Sequence, residues 1–207
     1  RRQRQMCIRD SISTVSHELR TPLGCVKEAI AIICDQVVGQ INDQQRKFLD
    51  IAKRNVDRLS VLVNDVLDFQ KLEANKVRLN MQENDITEVA EEVYQTIACS
   101  AKKKGIEFSL NLENNLPKAR FDSAKIIQVL TNLVNNAIKF TPQNGSVSVC
   151  IRRQGEELVI EVSDTGMGIP QESLPKIFDR FYRVHRPGKE IQGTGLGLAI
   201  VNKIVMM

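Results

Sequence analysis

Apolar residues recur along the first third of the chain at the spacing of a helix. Ile12, Val15, Leu19, Leu23, Val26, Ile30, Ile33 and Val37 fall on one stripe at 3.6 residues per turn, which predicts a helix over residues 11–38 closed by Gly39. Phe48, Ile51, Leu59, Leu62, Val66 and Phe69 form a second stripe behind a cap at Asn42 or Asp43, with Arg46, Lys53, Asp57 and Asp68 on its other side. Two such helices joined by a short turn make a hairpin, and neither can bury its stripe alone. The economical solution is for two chains to pair their hairpins into a dimeric four-helix bundle; packing on the chain's own downstream region is the rival. The basic residues 1–10 lack a clear apolar period, read as non-native adaptor sequence and are left unassigned.

The pattern changes near Lys76. Residues 77–81 read as a short strand, Asp85 with Glu88 as a capping-box-like start to a helix reaching about Lys103, and Gly105 as its end. Residues 106–112 alternate as a strand, and Asn114, Asn115 and Pro117 make a turn. Asp122 caps a helix to Phe140 whose buried stripe is Ile126, Val129, Leu130, Leu133, Val134, Ala137 and Phe140. Residues 146–152 and 157–163 are two strands around a turn at Gly155, residues 171–180 a short helix, and residues 184–192 a loop. An apolar helix follows. The expected fold is α+β in two domains: a helical hairpin over residues 11–76 and an α/β sandwich over residues 77–207.

Composition narrows the classes of function. With 42% hydrophobic residues the 207-residue chain has material for ordinary cores. Its net charge of +4 is mild and its basic residues are dispersed, and there is no Trp, so a nucleic-acid platform is not indicated. Cys7, Cys25, Cys34, Cys99 and Cys150 are odd in number and show no CxxC spacing, which fits reduced thiols in a cytosolic setting. No apolar run approaches the ~20 residues that span a bilayer, and no signal peptide is present.

Four places carry candidate chemistry. His17 falls nearly opposite the apolar stripe and so points to solvent, flanked by Glu18, with Thr21 one turn on and Pro22 expected to bend or open the helix. On the 122–140 helix, Asn132, Asn136, Lys125 and Lys139 gather on one polar flank, and Asn135 makes a third asparagine within five residues. Asparagine is a mediocre helix former, yet its amide oxygen suits Mg2+ and a nearby lysine suits phosphate. Asp164 ends an apolar strand and opens Asp-Thr-Gly-Met-Gly-Ile-Pro170, where a carboxylate can accept from an adenine amine while glycines admit a flat base. Gly193-Thr-Gly-Leu-Gly-Leu198 leads into a helix, the arrangement that holds phosphates through backbone N–H groups; it is not the spacing of a P-loop.

Ser16-His-Glu-Leu-Arg-Thr-Pro-Leu23 resembles the phosphoacceptor box of the sensor histidine kinases of two-component signalling. Thr131 to Pro142 resembles their asparagine box, Asp164 to Pro170 follows as the aspartate and glycine box, Ile177 to Arg183 resembles the phenylalanine box, and Gly193 to Leu198 completes the family order. The resemblance implies a histidine-kinase-type ATPase fold for the second domain and ATP with Mg2+ as cofactors. It implies His17 as phosphoacceptor, Glu18 as orienter and base, and Thr21 as the residue that orients water in dephosphorylating the partner. It further implies Asn136 as Mg2+ ligand beside Asn132, Lys139 near the phosphates, Asp164 on adenine, and Gly166 and Gly168 as the pocket floor. Arg183 stands at the root of an ATP lid that leads into Gly193, Thr194, Gly195, Leu196 and Gly197. The implied activity is autophosphorylation followed by transfer to an aspartate of a response-regulator receiver, by a homodimer, in the cytoplasm or as the cytoplasmic part of a longer membrane-anchored sensor. Family members continue beyond the last glycine box, so the second domain is expected to be truncated at its C-terminal end. The alternative is an ATPase of the same fold that closes a dimer without phosphohistidine.

Overall fold

The computed structural model describes the backbone of residues 2–73, 77–185 and 193–207, and side chains from Glu18 onward within those ranges. The chain divides into two compact units, Arg1–Lys76 and Val77–Met207.

The first unit is a helical hairpin. α1 (Arg2–Cys34) begins with the basic stretch left unassigned above, which forms its first turns, and it continues through Pro22. The helix does not open there: proline removes one hydrogen bond and the turns on either side carry on. α1 also stops earlier than Gly39. Gln36 adopts a left-handed φ of 59°, Val37 N–H donates to Ile32 O and Gln36 N–H to Ile33 O, so a Schellman motif closes the helix without a glycine. α2 (Asp43–Glu73) opens on a reciprocal cap in which Gln45 N–H donates to Asn42 Oδ1 and Asn42 N–H to Gln45 Oε1. Lys27 pairs with Asp57 at 2.7 Å and Arg20 donates to Asn64 at 2.9 Å, which turns Asp57 toward α1 rather than to the outer side expected for it. Ile30 is buried, whereas Leu19, Val26, Ile51, Leu59 and Leu62 of the two stripes remain exposed.

The second unit starts with a correction. Residues 77–81 form no strand; β1 is Gln82–Asn84, paired antiparallel with β3 (Ala119–Phe121), a strand the periodicity did not reveal. α3 (Ile86–Lys104) is capped by Asp85, which accepts from Thr87 N–H at 2.8 Å, and is closed at Gly105 with φ 71°. β2 (Glu107–Leu112) lies parallel to β4 (Ser146–Gln154), and β5 (Glu157–Asp164) turns back antiparallel beside β4. The sheet order is β2-β4-β5. α4 (Ser123–Phe140) makes the crossover between the parallel strands behind its Asp122 cap. A 3-10 turn over Gln171–Lys176 replaces the longer helix expected to residue 180, with Pro175 inside it, and α5 (Gly197–Val205) follows the glycine loop. The loop expected over residues 184–192 lies, from residue 186 on, outside the described residues.

One face of the sheet is covered by helices. Val89, Val93 and Ile97 of α3 and Leu130, Val134 and Ile138 of α4 pack on Val147, Val149 and Ile151 of β4. Along the ladder Val149 stands opposite Val162 and Ile151 opposite Ile160, so the period-2 alternation puts apolar side chains of both strands on the helical side. The core thereby fixes α4 against the sheet, and α4 carries the candidate site.

Candidate active site

The polar flank of α4 is held from both ends. Asp122 accepts from Lys125 N–H and from Asn80 N–H at its first turn. At the last turn the Lys104 ammonium donates to the carbonyls of Ile138, Lys139 and Thr141, and the buried Thr141 hydroxyl donates to Ala137 O at 2.7 Å. A cation on the free carbonyls of a helix C-terminus satisfies orphan acceptors and opposes the negative end of the dipole. Sequence reading missed Lys104, because nothing near it in the chain signals a bond to a helix more than thirty residues on.

Asn132 and Asn136 are both half-buried and face the start of α5: a methyl group added at Gly197 would lie 3.4 Å from Asn132 Oδ1 and 3.8 Å from Asn136 Nδ2. The Lys139 ammonium abuts Gly193 and stands 4.8 Å from the Phe140 ring centroid. Burial lowers its pKa, and the Arg183 guanidinium lowers it further. A polyphosphate beside these two cations would offset their mutual repulsion. Lys125 shares the flank but lies two turns before Asn132 and donates to Gln128, so it stays outside the cluster.

β5 brings Asp164 to the same end of α4. Its Oδ1 accepts from Gly166 N–H at 2.8 Å, and a side chain at Gly166 would come within 2.6 Å of that oxygen and 2.8 Å of Phe140 O. Only a glycine allows the loop to lie so close to the helix end. Thr165 continues the pinning by accepting Ser146 N–H at 2.8 Å, and Gly168 takes a left-handed φ of 63°. Asp164 itself is exposed.

The glycine loop is seated on the phenylalanine box. Phe181 N–H donates to Gly195 O at 3.0 Å, Gly195 has φ 73°, and a Cβ there would lie 2.8 Å from the Phe181 Cα. Phe181 also takes a left-handed φ, 58°, a strained state for an aromatic residue. This closeness was not legible in the sequence, where Phe178 and Phe181 fit a core as well as a pocket. Thr194 Oγ1 accepts Leu196 N–H at 3.3 Å, and the buried Leu196 roots the loop at α5. The α/β unit thus gathers Asn132, Asn136, Lys139, Arg183, Asp164, Gly166 and the 193–197 loop.

The hairpin carries its motif separately. His17 lies within α1, but the solvent-facing side chain expected for it falls outside the described side chains. Glu18 and Thr21 are exposed on the same helix. Among the described residues no three His, Cys, Asp or Glu side chains gather as a metal site, and no helix is long and apolar enough to cross a membrane. The donors that α4 offers a divalent cation are amides, which suits an ion held jointly with phosphate oxygens.

Comparison with known proteins agrees with this geometry. Residues 8–75 match the His Kinase A (phospho-acceptor) domain and residues 121–207 the histidine kinase-, DNA gyrase B- and HSP90-like ATPase domain. Drug sensory protein A of Synechocystis sp. (strain ATCC 27184 / PCC 6803 / Kazusa) is 38% identical over 204 residues, covering 94% of this chain and 31% of that protein. Full-length ShkA, solved in complex with AMPPNP, superposes with a TM-score of 0.78 at 30% identity, over 95% of this chain and 40% of ShkA. The catalytic domain of histidine kinase ThkA gives 0.55 at 33% identity, over 61% of this chain and 80% of that domain; ThkA in complex with response regulator protein TrrA gives 0.59 at 26%, over 88% and 53%. A phosphoacceptor hairpin followed by an ATPase domain of this type defines a protein histidine kinase. The chain belongs to the sensor histidine kinase family, and it spans less than a third of the length of Drug sensory protein A.

Proposed function

We propose that the α/β unit binds Mg-ATP and that His17 takes the γ-phosphoryl group and passes it to an aspartate of a response-regulator receiver. One observation carries this reading: two asparagine amides, a desolvated lysine, a strand-end aspartate and a glycine loop converge on the C-terminal half of α4. Asp164 accepts a hydrogen bond from the adenine amine, and Gly166 and Gly168 leave room for the flat base. Lys139 and Arg183 neutralise phosphate charge, while the 193–197 loop offers backbone N–H groups at the N-terminus of α5. The Asn136 amide, with Asn132 beside it, holds Mg2+ against the phosphates, and the bound ion supplies charge neutralisation in the transfer.

The acceptor is a neutral imidazole. A histidine with an ordinary pKa of about 6.5 is mostly unprotonated at pH 7. A ring nitrogen of His17 forms the N–P bond as the bond to the leaving ADP oxygen breaks, and Glu18 takes the proton from the other ring nitrogen. Thr21, one turn on, orients water when the partner is dephosphorylated. The uncovered apolar stripes of α1 and α2 support a homodimer through the hairpin, and the complex of ThkA with TrrA supports a response regulator as partner. Use of ATP supports a cytoplasmic location, for this chain by itself or as the cytoplasmic part of a longer membrane-anchored sensor.

The test is labelling with γ-labelled ATP. The expected product is an acid-labile, alkali-stable phosphoprotein that disappears in His17→Gln while circular dichroism is unchanged. Steady ATP turnover without phosphoprotein would replace this reading with that of an ATPase of the same fold.

A further inference from the structure

Most of the acceptors at the end of α4 are taken by one side chain from another helix. A lysine ammonium has three N–H donors, and that of Lys104 donates to Ile138 O at 2.5 Å and to Lys139 O and Thr141 O at 2.9 Å each. Ala137 O accepts from both the backbone N–H and the hydroxyl of Thr141. The carbonyl of that turn which the ammonium passes over is Phe140 O. It is also the one that Gly166 is packed against, since a Cβ at Gly166 would lie 2.8 Å from Phe140 O and 3.0 Å from Phe140 C.

Gly166 in turn orients the carboxylate. Its N–H donates to Asp164 Oδ1 at 2.8 Å, so the place where the loop rests on α4 sets the direction of the other carboxylate oxygen. The turn after α4 is fastened at the same spot: Asn144 N–H donates to Gly105 O at 2.8 Å, next to Lys104, and Ser146 N–H donates to Thr165 Oγ1 at 2.8 Å. A side chain at Gly145 would collide with the Thr141 methyl group and come within 2.9 Å of Thr165 Oγ1. Lys104 thus grips the segment on which residues 164–166 are seated.

A second observation ties this grip to the ligand. α4 has a lysine of its own in the last turn, where a cation would serve the free carbonyls. That lysine is Lys139, and its ammonium abuts Gly193 instead. Lys104 takes over the helix end, which leaves Lys139 to the phosphates. With its three donors spent on α4, the Lys104 ammonium has none left for a nucleotide.

Resting on the Mg-ATP reading above, we propose that Lys104 is a positioning residue for adenine recognition. By holding three carbonyls at the end of α4 it fixes Phe140 O against Gly166 and so aims the Asp164 carboxylate at the base.

The readout is the preference for ATP over ITP, measured on the 207-residue chain with Mg2+ by competition against a fluorescent nucleotide. ITP carries a keto oxygen where adenine carries the amine, so it forfeits the bond to Asp164 and keeps the triphosphate. The parent is expected to prefer ATP by at least about tenfold. Lys104→Met is expected to cut that preference about fivefold and to leave ITP affinity within about twofold. Lys104→Arg, whose guanidinium brings N–H donors to the same carbonyls, should restore it. On an Asp164→Asn background Lys104→Met should leave the preference where it stands, because the group it aims is gone. Equal losses for ATP and ITP in Lys104→Met would make the lysine a plain helix cap and overturn the proposal, as would an unchanged preference. If circular dichroism shows Lys104→Met to be unfolded, Lys104→Gln, which keeps an amide donor without the charge, decides by the same ratio. A parent that binds ATP and ITP alike, or neither, overturns the adenine reading itself and this role with it.

Discussion

The two units bury their apolar residues in opposite ways. In the α/β unit the stripes of α3 and α4 find the sheet inside the same unit, and Ala101, Val134 and Ile151 reach 0% exposure. In the hairpin, residues of equally regular periodicity stay uncovered: Phe48 is 64% exposed, and Leu19, Val26, Leu59 and Leu62 are 40% or more. Periodicity alone does not tell these cases apart. An amphipathic helix declares that it needs a partner surface and leaves open whether that surface lies in the same chain. The difference suits a kinase whose stem is shared between copies and whose nucleotide-binding part folds on its own core.

The sharpest way to break the comparison is to damage each unit where it buries its apolar surface. Val134→Asp puts an unpaired carboxylate into a site with no exposure, and the expected cost of more than about 4 kcal/mol should unfold the α/β unit. Calorimetry should then show one transition lost and the helical signal of the hairpin kept. Leu59→Lys with Leu62→Lys touches residues that are already exposed in a single chain, so the pair tests the proposed dimer rather than the fold of one hairpin. Sedimentation should show at least a hundredfold weaker association, about 2.7 kcal/mol, with the melting of the α/β unit unmoved. An unchanged dimer would place the hairpin's partner surface elsewhere.

Within the α/β unit, Lys139 separates stability from binding. Its folded-state pKa is lowered, chiefly by burial and then by Arg183, below the ordinary 10.5. The unfolded chain therefore binds more protons between the folded value and 10.5, and stability rises with pH across that window. Below the window the charged lysine opposes folding in full. Lys139→Met should accordingly stabilise the nucleotide-free protein at neutral pH, and the gain should shrink as pH climbs toward 10.5; paired denaturant titrations read the difference. The same variant should bind ATP more weakly. If the gain were the same at every pH, the lysine would not be the titrating group.

Much of this was legible in the chain. The Asp85 and Asp122 caps, the Gly105 stop and the turn at Gly155 each put the chemistry of one residue at one backbone position, and the helices and strands they delimit fall within two residues of expectation. The misses have a common cause. β3, three residues long, exists because β1 pairs with it, and α1 stops at a left-handed Gln36 where glycine was the expected signal. The site was legible as a list of residue types at intervals. Its assembly was not, since the approach of Gly195 to Phe181, of Gly193 to Lys139 and of Lys104 to the end of α4 are contacts between segments.

The smallest expected effect tests whether the hairpin's polar contacts matter to it at all. Lys27 and Asp57 meet at 2.7 Å with side chains 55% and 43% exposed, so water and salt screen the pair. A double-mutant cycle of Lys27→Met and Asp57→Asn should give a coupling of about 0.5 kcal/mol that fades by 1 M salt. That is several times less than the association lost on charging Leu59 and Leu62. A coupling above about 2 kcal/mol would mean that the pair is enclosed when the hairpin is fully assembled, and the dimer interface would then have to extend over Lys27 and Asp57.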